Sequence, residues 1–160
     1  MNRKVIIGAV ITLFIFIFAY FSFSQILPQE IENAPEWMSL EQAMTLAAND
    51  DRLVMIDIFE VGCQFCRKMD RETYPSPSVR SVLDRAYHPV KINGNSESTM
   101  IFMGEEMAMR DFSAQMGVTA YPFTVIMDAE GNVIDRRRGY QDVVGFTRFL
   151  NGAIEKRSES

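Results

Sequence analysis

Apolar residues run without a single charge from Val5 to Phe23, and beyond Glu36 they recur at spacings that change from block to block. As a helix, at about 1.5 Å per residue, the first run is roughly 28 Å long, close to the hydrocarbon thickness of a bilayer. Residues 25–36, with Pro28, Pro35 and several acids, read as a linker. Ser39-Leu40-Glu41-Gln42 is a capping box, and Leu40, Ala43, Met44 and Ala47 follow at helical spacing, which predicts a helix over 39–49. Asn49-Asp50-Asp51 breaks it, and the apolar run 53–59 reads as a buried strand.

The charged stretch after Cys66 predicts a helix to about Glu72, ended by Pro75 and Pro77. Ser78 can cap a second helix that carries Val79, Val82, Leu83 and Ala86 on one face. A short strand over 89–92 precedes the polar, turn-like residues 93–98. Residues 105–116 read as a helix stopped by Gly117. Two strands, 123–127 and 133–137, flank the turn 128–132, and a helix over 142–154 turns Val143, Phe146, Phe149 and Leu150 inward. The order predicts an α/β fold: a crossover βαβ unit, a hairpin and a last helix, making a central mixed sheet flanked by helices.

Composition separates a leader from a globular domain. Hydrophobic residues at 48% and charged residues at 23% fit a packed core, and the chain is long enough for one domain, expected over 37–157. Net charge is −5, and setting aside Arg3 and Lys4 leaves 14 basic against 21 acidic residues, or −7. That balance argues against nucleic acid as a partner. Arg136-Arg137-Arg138 is the one basic cluster and reads as a solvated strand end. Arg3 and Lys4 ahead of the apolar run predict that residues 1–24 are a single-pass anchor in the cytoplasmic membrane, with the domain facing the periplasm or cell exterior. Ser22-Phe23-Ser24 leaves open a signal peptide cut before Gln25; the apolar run, longer than a typical signal core, favours the anchor.

The chain has two cysteines, in Cys63-Gln64-Phe65-Cys66, between the apolar strand and the charged helix. Two thiols so spaced at a helix start can open and close a disulfide with little backbone movement, and the helix N-terminus acidifies the first. A structural disulfide across so short a loop would add only about 2 kcal/mol. A structural zinc site needs four ligands, and one histidine, His88, is the only further soft ligand beside the methionines. Redox chemistry is therefore the expectation, with no external cofactor and no resident metal. One different reading stays open: Met100, Met103, Met107, Met109 and Met116 could join the cysteines, with or without His88, as soft ligands of a Cu(I) carrier, although such methionines are more often core filler.

Taken together, the strand 54–59, the Cys-x-x-Cys segment, Gly117-Val118-Thr119-Ala120-Tyr121-Pro122-Phe123, the turn 128–133 and Gly139-Tyr140 resemble the thioredoxin family over nearly all of 37–155. The resemblance is to its exported members, among them the SoxW type; those serving cytochrome maturation or thiol repair share most of these features. It implies a thioredoxin fold and a thiol–disulfide oxidoreductase that reduces substrate protein disulfides, with a dithiol oxidase of the same fold as the alternative. It further implies Cys63 as attacking thiol, Cys66 as resolving thiol and Pro122 as a cis-proline, with the Tyr121 backbone holding an extended substrate segment. Asp57 matches the family's buried acid, and burial in an apolar strand would raise its pKa so that it could take the Cys66 proton. Lys91 is placed near that acid. The implied partners are a protein disulfide substrate, a membrane electron donor or acceptor, and the lipid bilayer around the N-terminal helix. The chain departs from cytosolic members at Val61-Gly62 and Gln64-Phe65, so their redox potential does not transfer.

Overall fold

The computed structural model of the protein describes residues 2–24 and 31–159, which fall into two separate units. The first holds α1 (Arg3–Ser24), a helix of 22 residues whose side chains from Val5 to Ser22 are all exposed. It is long and apolar enough to cross a membrane, at about 33 Å. The Thr12 hydroxyl bonds back to the Gly8 carbonyl at 2.9 Å, which satisfies that donor within the helix. Most of the expected linker, 25–30, and the bond a signal peptidase would cut lie outside the described residues.

The second unit begins at Ile31 and is organised around a four-stranded mixed sheet. Residues 31–36 are tied onto it: the Asn33 side-chain amide donates to the Pro75 carbonyl and Arg80 donates to the Ala34 carbonyl, both at 2.6 Å. α2 (Leu40–Asp50) starts where its capping box predicts, with the Ser39 hydroxyl accepting from the Gln42 amide at 3.2 Å. β1 (Leu53–Phe59) is buried along nearly its whole length, as a strand covered on both faces must be. β2 (Tyr87–Asn93) runs parallel to it, and the antiparallel pair β5 (Phe123–Met127) and β6 (Val133–Arg138) completes the order β2-β1-β5-β6.

Between β1 and β2 lie α3 (Gln64–Lys68), a π-helical turn over Met69–Thr73, and α4 (Pro77–Ala86). The wider turn shows in the bond from the Tyr74 amide to the Met69 carbonyl, five residues back, at 3.0 Å. α4 starts earlier than expected: Ser76, not Ser78, occupies its N-cap position, because Pro77 is pre-shaped for the first helical residue. α6 (Val143–Ser158) closes the chain, its first turn capped by Asp142.

One expected element is corrected. Residues 105–116 are not one helix: β4 (Glu105–Ala108) pairs with β3 (Thr99–Phe102) as a separate hairpin, and only α5 (Met109–Gln115) is helical. Met103 and Gly104, at φ 53° and 82°, make the two-residue turn whose twist suits a hairpin. Cross-strand register then sets Met100 opposite Met107, both half-buried, and Ile101 opposite Glu106, both exposed. Methionine and glutamate suit a helix as well as this hairpin, so their spacing alone misleads. Gly117 does end α5 as expected. At φ 80° it allows the Val118 and Gly117 amides to cap the Ser113 and Ala114 carbonyls at 3.1 and 3.0 Å.

Two cores result. One face of the sheet packs Val54, Ile56, Ile58 and Val125 against α2, α5 and the hairpin. The other packs Leu53, Met55 and Ile126 against α4 and α6, around Tyr74, Tyr87 and Phe146. Phe112, fully buried and edge-on to Phe102 at 5.1 Å, fastens α5 and the hairpin to the first core. Phe112→Ala is expected to cost about 3–5 kcal/mol, read as a lower urea midpoint at unchanged slope.

Candidate active site

β1 delivers the chain to the site and Gly62 turns it. Gly62 sits at φ 91°, a region closed to most side chains, and the turn is bonded from the Cys63 amide to the Glu60 carbonyl at 3.2 Å. Cys63 is the N-cap of α3, with its sulfur accepting from the Cys66 amide at 3.1 Å. That donor and the helix N-terminus favour negative charge on Cys63 once the pair is reduced. Here the two sulfurs are joined as a disulfide, with Cα atoms 5.3 Å apart. Cys63 is half-buried while Cys66 is 3% exposed, so the two sulfurs are not equivalent toward an incoming thiol.

Asp57 points into the second core, in the place on β1 that follows Leu53 and Met55 and would otherwise be apolar. It is 1% exposed, and among the described residues neither carboxylate oxygen has a hydrogen-bond partner. Burial therefore dominates and pushes its pKa from 3.8 up to about 6, against the pull of Lys91, whose ammonium lies 3.7 Å away, and of the nearby Tyr74 hydroxyl. Lys91 faces Asp57 across the β1–β2 register, as expected, and its ammonium is ion-paired with Asp70 on the π-helical turn. The rings of Trp37 and Phe59 stand 5.0 and 5.3 Å from that ammonium. The same burial, with Asp57 alongside, lifts the Tyr74 hydroxyl well above its usual value.

The third strand end brings Tyr121 and Pro122. Phe123 pairs with Ile58, so the residues before it lie at the end of β1 that leads to the cysteines. The Tyr121–Pro122 bond is cis, and the Pro122 carbonyl accepts from the Gly139 amide at 2.7 Å. Tyr121 is held by residues that the sequence did not single out. Its hydroxyl donates to Asn95 at 2.9 Å, and the Asn95 amide donates to Glu60 at 3.0 Å. Gly94 lies beneath: a Cβ there would stand 2.6 Å from the Tyr121 oxygen and 2.8 Å from Ile58. Nothing in the polar run 93–98 signals this clamp, which exists only once two distant strands are neighbours.

Of the soft residues considered for copper, His88 lies far from the cysteines and four of the five methionines are packed in a core. His88 is buried at the far end of β2, opposite Val54 and roughly 17 Å of strand from the cysteine end, with Nε2 3.0 and 3.1 Å from the Asp50 oxygens. Burial opposes ionisation of Asp50, but hydrogen bonds from His88 and Arg52 hold it down at about 2. Met100, Met107, Met109 and Met116 belong to the first core, and Met103 is exposed at the hairpin turn. Trp37 packs edge-on against Tyr74 at 5.2 Å; Tyr140 lies beside Phe65 at 6.2 Å, next to the disulfide.

The raised Asp57 pKa has a sign. The folded protein holds this proton more tightly than the unfolded chain, so its contribution to stability is complete below pH 3.8 and is lost as pH rises through about 6. Asp57→Asn should therefore stabilise the oxidised protein at about pH 8 by on the order of 3 kcal/mol and give no gain near pH 3. Urea denaturation at the two pH values reads the difference.

Comparison with known proteins agrees with this geometry. A model of the thioredoxin-like domain matches residues 40–154. Over 117 residues, 71% of the chain, the protein is 26% identical to the thiol:disulfide interchange protein DsbD of Photorhabdus laumondii subsp. laumondii; the match spans 18% of that relative's length. A thioredoxin from Thermus thermophilus shares the fold with a TM-score of 0.61 at 18% identity, over 75% of this chain and 87% of that one. A putative disulphide-isomerase from Bacteroides thetaiotaomicron does so at 0.61 and 19%, over 79% and 97%. The disulfide at the head of α3 equips this fold for thiol–disulfide exchange. The chain thus belongs to the thioredoxin-like domain family, as a thiol–disulfide oxidoreductase whose redox-active group is the Cys63–Cys66 disulfide.

Proposed function

We propose that this protein is a membrane-tethered reductase of protein disulfides, working outside the cytoplasmic membrane. The observation that carries the reading is the asymmetry of the pair: a half-buried Cys63 capping a helix, and a buried Cys66 one turn inside it. With the pair reduced, the Cys63 thiolate attacks one sulfur of a substrate disulfide, and the other substrate sulfur leaves as a thiolate. Cys66 loses its proton and attacks Cys63, releasing the second substrate sulfur and re-forming the Cys63–Cys66 disulfide. Two electrons pass to the substrate. Asp57 is assigned the proton of Cys66, because a carboxyl with a pKa of about 6 can accept one near neutral pH and pass it on. Tyr121 and Pro122 are assigned the extended substrate segment, through the Tyr121 backbone.

The location rests on α1 and on the kinship. Arg3 and Lys4 open a helix whose apolar span, Val5–Ser22, is of membrane length, which favours a cytoplasmic N-terminus and an exported domain. The interchange protein DsbD and the SoxW-type resemblance support the same compartment. A thiol pair held outside the cytoplasm is re-reduced only by a dedicated carrier, so the electron donor is a membrane protein presenting a dithiol on that side.

Three outcomes check this reading. On a non-reducing gel, Cys66→Ala should accumulate mixed disulfides that disappear with reductant, whereas Cys63→Ser should form none. Titration of the pair against glutathione should give a two-electron couple; a potential near −270 mV supports the reductase reading, and one near −120 mV would make the protein an oxidant instead. The full-length chain should stay with membranes after an alkaline carbonate wash, with residues from Ile31 onward open to external protease; a soluble product beginning at Gln25 would identify a cleaved signal.

A further inference from the structure

Charge is unevenly distributed around the disulfide. Gln64, Phe65, Arg67, Lys68 and Arg71 line an open hollow of about 330 Å³ along α3 and the π-helical turn. Lys68 is engaged there, 3.8 Å from Glu72 and 4.6 Å from the centre of the Tyr140 ring. Arg67 and Arg71 are exposed, and among the described residues neither guanidinium has a hydrogen bond or an ion pair. The carboxylates close to them in the chain are taken: Asp70 pairs with Lys91, Glu72 faces Lys68, and Glu60 is held by Asn95. Two guanidiniums thus stand without internal partners in a chain whose net charge is −5. Beside them Phe65, between the cysteines, is 60% exposed, and Val61, two residues before Cys63, is 83% exposed.

We propose that this hollow recognises the substrate protein, taking an Asp or Glu side chain that lies close to the substrate's reactive cysteines while Phe65 and Val61 cover the apolar residues next to them. The proposal rests on the reductase reading and names the chemistry of its substrate. Guanidinium groups present parallel N–H donors that match a carboxylate, and an ion pair formed against an aromatic wall is less screened than one in open water. Placed beside the attacking sulfur, such a pair speeds encounter and fixes the register in which the disulfide meets Cys63.

The test uses the reduced full-length protein in phosphatidylcholine nanodiscs and two disulfide peptides, identical except that Asp residues flank the cysteines in one and Lys residues in the other. Oxidation of Cys63–Cys66 is followed by acid quench and alkylation. At low ionic strength the acidic peptide should react about 10-fold faster or more, and the ratio should fall toward one with added salt. Arg67→Ser combined with Arg71→Ser should bring the ratio to about one at low salt as well. Both peptides meet the same thiolate, so any change in its reactivity cancels from the ratio. Arg85→Ser, which removes a cation from the last turn of α4, should keep the ratio. Equal rates with the native protein, or a preference that survives loss of both arginines, overturns the docking site and leaves the reductase reading standing. Failure of both peptides to oxidise the pair removes both.

Discussion

An acid sealed into the central strand is the constraint around which the rest of this domain is arranged. Asp57 cannot shed its desolvation cost through hydrogen bonds, since neither oxygen has a partner among the described residues, so the fold brings a cation to it across the β1–β2 register. Lys91 in turn is enclosed by Trp37, Phe59 and Tyr74, and is shared with Asp70 from the π-helical turn. One costly group therefore recruits the entering segment, two strands and the helix behind the cysteines. The arrangement leaves the carboxyl poised between charged and neutral near physiological pH, whereas a fully satisfied ion pair would hold it ionised.

The site itself is assembled from strand ends. β1 runs into the cysteine turn, β5 starts beyond the cis-proline, and the segment after β2 reaches across to hold Tyr121 through Asn95. Each contributor is anchored in a buried strand, so reactive groups on loops are positioned by the sheet without needing stiffness of their own.

Much of this was legible in the sequence for a physical reason. The buried strands are continuous apolar runs, the caps of α2 and α5 are local chemistry, and the cysteine spacing defines a closable loop. Asp57 stood out as an acid among apolar neighbours. What escaped notice depends on contacts distant in sequence or on residues tolerant of two conformations. The β3–β4 hairpin was hidden because Glu105, Glu106 and Met107 suit a helix equally, and a glycine turn decides between the two. The start of α4 slipped because two serines flank one proline and only the ring geometry chooses between them. Glu60, Asn95 and Gly94 carry no local pattern, and their association is a product of sheet topology.

The fit of Tyr121 over Gly94 also bears on how such a site can diverge. Any side chain at position 94 would overlap the phenol ring, and loss of the ring would leave Asn95 without its donor. The two positions are therefore coupled, with Ile58 as a third member: a descendant must shrink residue 121 and make room at Ile58 before residue 94 is free to vary. A lineage that keeps the tyrosine has, in effect, fixed a glycine 27 positions upstream, and variation in substrate contacts is channelled toward the exposed residues around the cysteines instead.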